Sequence, residues 1–226
     1  MKRSDINNII KSFEALLQKN GFVLPPFLGF TPEKWNEIGS EYDEIRDNML
    51  GWDVTDYGMG DYANLGLALI TLRNGNVNND KYTKPYAEKV LMCYPGQVSP
   101  MHFHWNKMED IINRGGGVMR FSLYNATKEE TLDDTPVEIR KDGRRYMVPA
   151  GEAVNLYPGE SISLYPYCFH EFIIPRDSEP VLIGEVSMCN DDNTDNRFLK
   201  PLGRFPTIEE DEPPYRLLCN EYPKAK

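Results

Sequence analysis

The spacing of apolar positions changes once along the chain, from a helical period to a period of two. Ile6, Ile9, Ile10, Phe13, Leu16 and Leu17 share one face of a first helix, which Ser4 can cap and Asn20-Gly21 ends. Thr31-Pro32-Glu33 is a second start signal, a capping hydroxyl followed by proline at the first helical position. Trp35, Ile38, Tyr42, Ile45 and Met49 then recur at helical spacing, which predicts one helix running up to Gly51. The run from Trp52 to Asp61 is rich in aspartate and glycine and reads as an ordered loop.

From about residue 65 the pattern is that of strands. Candidates cover 66–72, 86–94, 100–105, 108–113, 117–124, 136–141, 144–149, 153–157, 161–165, 170–175 and 181–188. Asp142-Gly143 between two polar strands is a hairpin signal, and Pro95-Gly96, Pro149-Ala-Gly151 and Pro158-Gly159 mark further boundaries. Many short strands at near-regular spacing predict a mainly β fold, a barrel or jelly roll. The chain shows no internal repeat and no low-complexity segment. The expected organisation is one domain over 1–226: a helical extension over 1–64, a barrel core over 65–200 and a C-terminal strap over 201–226. The acidic, proline-rich run Glu209-Glu-Asp-Glu-Pro-Pro214 lies in that strap.

Charge narrows the partners. A net charge of −10 argues against a nucleic-acid binder, which needs a basic face to displace counterions, and more mildly against heavily phosphorylated substrates, since a local basic pocket can still hold one phosphate. The polar amino terminus leads into an amphipathic segment with no apolar core of a signal peptide, and the longest apolar stretch, 65–72, falls far short of a membrane span. Cys93, Cys168, Cys189 and Cys219 have no paired spacing and no Cys-x-x-Cys, so they read as reduced thiols of a cytoplasmic protein, with no membrane partner.

The candidate chemistry lies in the histidines. The chain has only three, His102, His104 and His170. Residues two apart in a strand point to one side, so His102 and His104 project together, and the four residues from Trp105 to Met108 suffice to bring the Glu109 carboxylate back from the next strand. With His170 on a late strand, these residues form a four-ligand set with no surplus imidazole. Neutral imidazoles with one carboxylate suit manganese, iron, zinc, cobalt or nickel, and an octahedral ion so held keeps two adjacent positions for water or a diol-like substrate.

The spacing Gly96-x5-His102-x-His104-x4-Glu109-x6-Gly116 resembles the first cupin motif in full. The second motif is matched loosely by Gly159 and Pro166-Tyr-Cys-Phe-His170: it is one residue short between proline and histidine, has Cys168 near the usual glycine, and has Ile174 where asparagine is usual. Over nearly its whole length the chain is similar to the bacterial D-lyxose ketol-isomerase family. The runs that carry this are Phe30–Trp35, Gly51–Gly58, Tyr86–Leu91, Pro100–Asp110 and Gly184–Phe198. The resemblance implies a cupin-type β-barrel (a double-stranded β-helix), dependence on Mn²⁺ (with Co²⁺, Fe²⁺ or Zn²⁺ as other divalent candidates) and a homodimer. It also implies interconversion of D-lyxose with D-xylulose, and often of D-mannose with D-fructose.

Such a reaction moves a hydrogen between C1 and C2, either by a base and an acid through an enediol or by a hydride shift. Glu185, in the apolar strand Val181–Val186, is the favoured general base, with Glu109 as runner-up because a ligating carboxylate is a weaker base. Lys107, two residues before Glu109, shares its face if the segment is extended and can act as the acid. Lys89, flanked by Val90 and Leu91, is a candidate for substrate contact, and Asp195 and Arg197 for holding distal hydroxyls. Phe103 and Trp105 read as apolar walls or as core. Two other readings share the ligands: an iron-type dioxygenase, which expects a mostly apolar pocket, and a non-catalytic sugar-binding cupin in which Lys107 and Glu185 are dispensable.

Overall fold

A first helix, α1 (Arg3–Lys19), buries Ile6, Ile10, Phe13 and Leu17, the face that the apolar spacing predicts. The computed structural model that shows this describes residues 1–191 and 194–225; Asp192 and Asn193 of the polar run before Asp195, and Lys226, lie outside the described residues. Gly21 takes the left-handed conformation after Asn20 and closes the helix, with its N–H bonded to the Gln18 carbonyl at 3.0 Å. Ser4 does not cap. Lys2 occupies the cap position, and the Ser4 N–H and hydroxyl donate instead to Asp211 of the carboxyl-terminal segment at 2.9 and 2.7 Å.

The single helix expected between Thr31 and Gly51 is broken. Thr31 caps as predicted, accepting from the Lys34 N–H at 3.3 Å, but α2 (Pro32–Trp35) and α3 (Asp43–Asp47) are separate short turns. Gly39 is extended between them, a residue that costs a helix interior about 1 kcal/mol. The Arg46 guanidinium then takes the carbonyls of Ile38, Gly39 and Pro223, which makes the broken path the satisfied one. Helical spacing here reflects burial of Trp35, stacked on Tyr222 at 3.9 Å, and not a continuous helix.

Fourteen strands follow among the described residues: β1 (Gly51–Thr55), β2 (Leu67–Arg73), β3 (Tyr86–Cys93), β4 (Val98–Phe103), β5 (Glu109–Gly115), β6 (Met119–Ala126), β7 (Leu132–Asp133), β8 (Val137–Lys141), β9 (Arg144–Val148), β10 (Val154–Leu156), β11 (Ser161–Leu164), β12 (Cys168–Ile173), β13 (Val181–Met188) and β14 (Arg197–Phe198). One sheet has the order β1-β2-β3-β13-β5-β11-β8-β9 and the other β10-β6-β12-β4-β14, with β7 beside β6. Every pairing among these strands is antiparallel. The first half of the run read as a loop, Trp52 to Asp61, is the edge strand β1. Its five residues are all buried, so it lacks the alternation by which half-exposed strands announce themselves.

The large sheet is buried on both faces where α1 covers it. Leu67, Leu69, Leu91, Val181 and Ile183 point into the barrel core, while Ala68, Ile70, Val90, Met92 and Leu182 pack with Ile6, Ile10 and Phe13 of α1 in an outer core. Odd-numbered positions of β2, β3 and β13 therefore face the barrel interior, and Lys89 and Glu185 are among them. The carboxyl-terminal segment ties α1 down: Arg3, 2% exposed, pairs with Glu210 at 2.6 Å and with Glu221, and Asn7 donates to Glu212 at 2.6 Å. Two glycines of the histidine motif have backbone reasons. Gly96 (φ +92°) makes the turn between β3 and β4, and a Cβ on Gly116 (φ +97°) would fall 2.0 Å from the Pro180 carbonyl oxygen.

Phe13 is fully buried, edge-on to Trp52 with ring centroids 5.8 Å apart. Phe13→Ala is expected to cost about 3–5 kcal/mol in urea unfolding, the range for a truncated buried aromatic; a loss below about 1 kcal/mol would show that α1 is not anchored on the sheet.

Candidate metal centre and active site

β4 and β12 lie side by side in the small sheet, with His102 opposite His170. Phe172 pairs with Ser99, so two residues of β12 span three of β4, and the bulge at Pro100-Met101 turns both Ser99 and His102 inward. Proline suits that place because it has no N–H to contribute to the ladder. His104 follows at the end of β4, and Glu109 reaches in from the first position of β5 in the opposite sheet. One side-chain ligand atom from each of His102, His104, Glu109 and His170 lies within 4.8 Å of the others. Glu109 Oε1 is 3.2 Å from His170 Nε2 and 3.5 Å from His104 Nε2.

Each imidazole is aimed by a backbone carbonyl. His102 Nδ1 lies 2.7 Å from the Pro100 oxygen, His104 Nδ1 2.5 Å from that of Asp195 and His170 Nδ1 3.0 Å from that of Cys168. A carbonyl only accepts, so each Nδ1 carries the proton and each Nε2 presents a lone pair to the centre. His104 Nε2 is buried with no hydrogen-bond partner. A buried ring nitrogen without a partner is costly in a folded protein, and a cation among these four groups would satisfy it. Burial, together with His170 and His104, holds the His102 imidazole well below its usual value, so it is neutral as a ligand must be. Burial pushes the Glu109 carboxyl up, but the Lys107 ammonium outweighs it and holds the group well below the carboxylate range. The residues present fit a divalent metal ion.

A second cluster adjoins the first. Lys107 Nζ lies 2.7 Å from Glu109 Oε2 and 3.3 Å from Glu185 Oε1, and Lys89 Nζ is also 3.3 Å from Glu185 Oε1. The Ser187 hydroxyl donates to the same Glu185 oxygen at 3.3 Å, and Asn190 Oδ1 accepts from Lys89 and Lys107 at 2.7 and 3.2 Å. Lys107, Lys89, Glu109 and Glu185 are each 4–5% exposed. Both clusters line one cavity, whose empty space is about 650 Å³ with the open solvent at its mouth included. Its remaining wall is partly apolar, with Leu67, Leu69, Leu91, Ile111 and Phe172.

Asp195 and Arg197 do not line this cavity. The Asp195 carboxylate accepts the N–H groups of Asn106 and Lys107 at 2.9 and 2.8 Å, and its carbonyl aims His104, so it supports the loop that carries Lys107. Arg197 Nε pairs with Glu130 at 3.0 Å. Phe103 packs against Trp105 and Phe169, and Trp105 Nε1 donates to Glu130 at 2.8 Å; neither faces the cavity. Sequence reading missed the wall contributed by Thr55, Tyr57, Asn196, Phe198 and Arg204. Thr55 and Tyr57 fall in or next to the unrecognised β1, Phe198 ends the two-residue strand β14, and Asn196 and Arg204 lie in irregular chain where no period marks a buried side.

A curled antiparallel barrel with three inward imidazoles and one carboxylate is a cupin carrying a candidate metal centre. The chain belongs to the D-lyxose isomerase family, whose model matches residues 1–222. It is 48% identical to a D-lyxose/D-mannose isomerase of Serratia proteamaculans and 46% identical to one of Escherichia coli O157:H7, over 98% of both chains in each case. Its fold is similar to that of the L-ribose isomerase of Acinetobacter sp. DL28 in complex with L-ribose, with a TM-score of 0.60 at 14% identity over 92% of this chain and 98% of that one.

The lowered His102 value sets a pH dependence. Below about 6.5 the unfolded chain takes up a proton on His102 that the folded chain refuses, so stability falls as pH drops through that value. The depressed Glu109 value acts at lower pH: its contribution is present above about 4.5 and is lost as pH falls through the folded value. Chelator-treated protein should therefore lose urea stability between about pH 7 and about pH 5.5, and His102→Gln should flatten that loss. An equal loss in the variant would remove His102 as its source.

Proposed function

We propose that the protein is an aldose–ketose isomerase that interconverts D-lyxose and D-xylulose, and D-mannose and D-fructose, with proton transfer through an enediol. The observation that carries this is the meeting of the four-ligand set with Glu185, Lys107 and Lys89 in one cavity. His102, His104, Glu109 and His170 would hold the ion, with Mn²⁺ the proposed metal, and a divalent ion there supplies Lewis-acid polarisation of the sugar's carbonyl and hydroxyl oxygens.

Glu185 acts as the base. Lys107, Lys89 and Ser187 each meet its Oε1, and Oε2 is the oxygen it would offer to the substrate. It removes the proton from C2 of the aldose and returns it at C1, so no net oxidation or reduction occurs. Lys107, whose ammonium spans Glu109 and Glu185, donates to the carbonyl oxygen as the enediol forms and recovers that proton from the other oxygen. Lys89, on the far side of Glu185, keeps the carboxylate oriented and meets the sugar hydroxyls. No histidine is left to share this work, since all three present Nε2 to the ligand set. The buried lysine–carboxylate cluster also weighs against the dioxygenase reading, which expects an apolar cavity.

No described helix is long and apolar enough to cross a membrane; a cytoplasmic homodimer acting on free sugars is the proposed setting. The test is conversion of D-lyxose to D-xylulose. Chelator-stripped protein should lose it and regain it with Mn²⁺, and activity retained without metal would exclude the metal's role. Glu185→Gln should bind the metal with unchanged stoichiometry while kcat drops about 100-fold or more. A rate within about threefold of wild type would remove Glu185 as the base.

A further inference from the structure

Arg204 alone among the described residues lines both the site cavity and a second, polar cavity, whose wall includes Asp53, Asn48, Asn74 and Asn190. The irregular segment that carries it is fixed in place. Its Nη2 donates to the Asp53 carboxylate, its carbonyl accepts the Thr55 hydroxyl at 2.6 Å, and the preceding Gly203 N–H bonds the Tyr57 carbonyl at 3.0 Å. Asp53 is 2% exposed on β1, and its Oδ1 makes no hydrogen bond.

An open-chain sugar has more hydroxyls than the ligand set, Glu185 and the two lysines can meet. The leucines, Ile111 and Phe172 offer nothing to the hydroxyls left over. Thr55, Ser99, Asn196 and Arg204 supply further polar groups in the wall, and only Arg204 brings a charged fork of several donors. We propose that Arg204 recognises the hydroxyls at the sugar end remote from the ligand set, and that, positioned by Asp53, it sets the chain length the cavity admits. This rests on the isomerase reading above. A five-carbon chain ends at the guanidinium; a six-carbon chain passes it towards the second cavity.

D-mannose has the configuration of D-lyxose at C2 to C4 with one further carbon, so the pair isolates chain length. The experiment measures kcat/KM for both sugars on Mn²⁺-loaded wild type, Arg204→Ala, Arg204→Lys and Asp53→Asn, each checked for folding by circular dichroism. Arg204→Ala should lower kcat/KM for D-lyxose and raise the D-mannose to D-lyxose ratio about 10-fold, with smaller shifts in the same direction for the other two variants. Calorimetric binding of D-mannitol and D-arabinitol, the non-isomerisable polyols of the two sugars, should show the same change of ratio without turnover. If Arg204→Ala does not fold, Arg204→Lys and Asp53→Asn decide. Unmoved ratios in folded variants that still convert both sugars overturn the proposal and leave the isomerase reading intact. A wild type that converts neither sugar overturns the isomerase reading, and this inference with it.

Discussion

The site depends on one buried carboxylate shared between two clusters. Glu109 is 4% exposed, its Oε1 faces the Nε2 atoms of His104 and His170, and its Oε2 faces the Lys107 ammonium. Removing a carboxylate from water is costly unless cations or donors surround it. Lys107 supplies such a cation at Oε2, while Oε1 faces ring nitrogens that present lone pairs and is left for a bound cation to satisfy. The same charge that completes the ligand set fixes Lys107, and Lys107 in turn meets Glu185. Loss of Glu109 would therefore disturb both clusters at once.

The fold supplies this geometry through strand period and a single bulge. Alternation turns Lys89, Glu109 and Glu185 of the large sheet inward, while the β4 bulge brings Ser99 and His102 to the same side. Backbone carbonyls then set each imidazole's tautomer, so ligand direction is built into the main chain. The two cores divide the remaining work. The inner one closes the barrel below the site, and the outer one, under α1, holds the large sheet from behind. Strands thus carry His102, Glu109, His170 and Glu185, His104 follows directly on β4, and irregular chain carries Asn196 and Arg204 in the cavity wall.

Much of this was legible in the sequence because it follows period and spacing. The strand runs from residue 66 onward, the four-ligand set, and Lys107 beside Glu109 all follow from alternation and from a motif with few free variables. Glu185 was legible as a carboxylate in an apolar strand. What escaped lacks a period. β1 is buried on both faces and so reads as neither helix nor strand. The broken helix between Thr31 and Gly51 keeps helical spacing while Arg46 captures carbonyls across the break. Asp195 reads as a sugar ligand because it is polar and in a loop, whereas its carboxylate accepts two backbone N–H groups. Arg204 could be found only once the fold had brought residue 204 against residue 53.

The central claim is that three Nε2 atoms and Glu109 converge on one divalent ion. An anomalous difference map from crystals grown with Mn²⁺ tests it most directly. One strong peak per chain is expected, bonded to Nε2 of His102, His104 and His170 and to a Glu109 oxygen. A peak held by other residues, or none at full Mn²⁺ saturation, would contradict it.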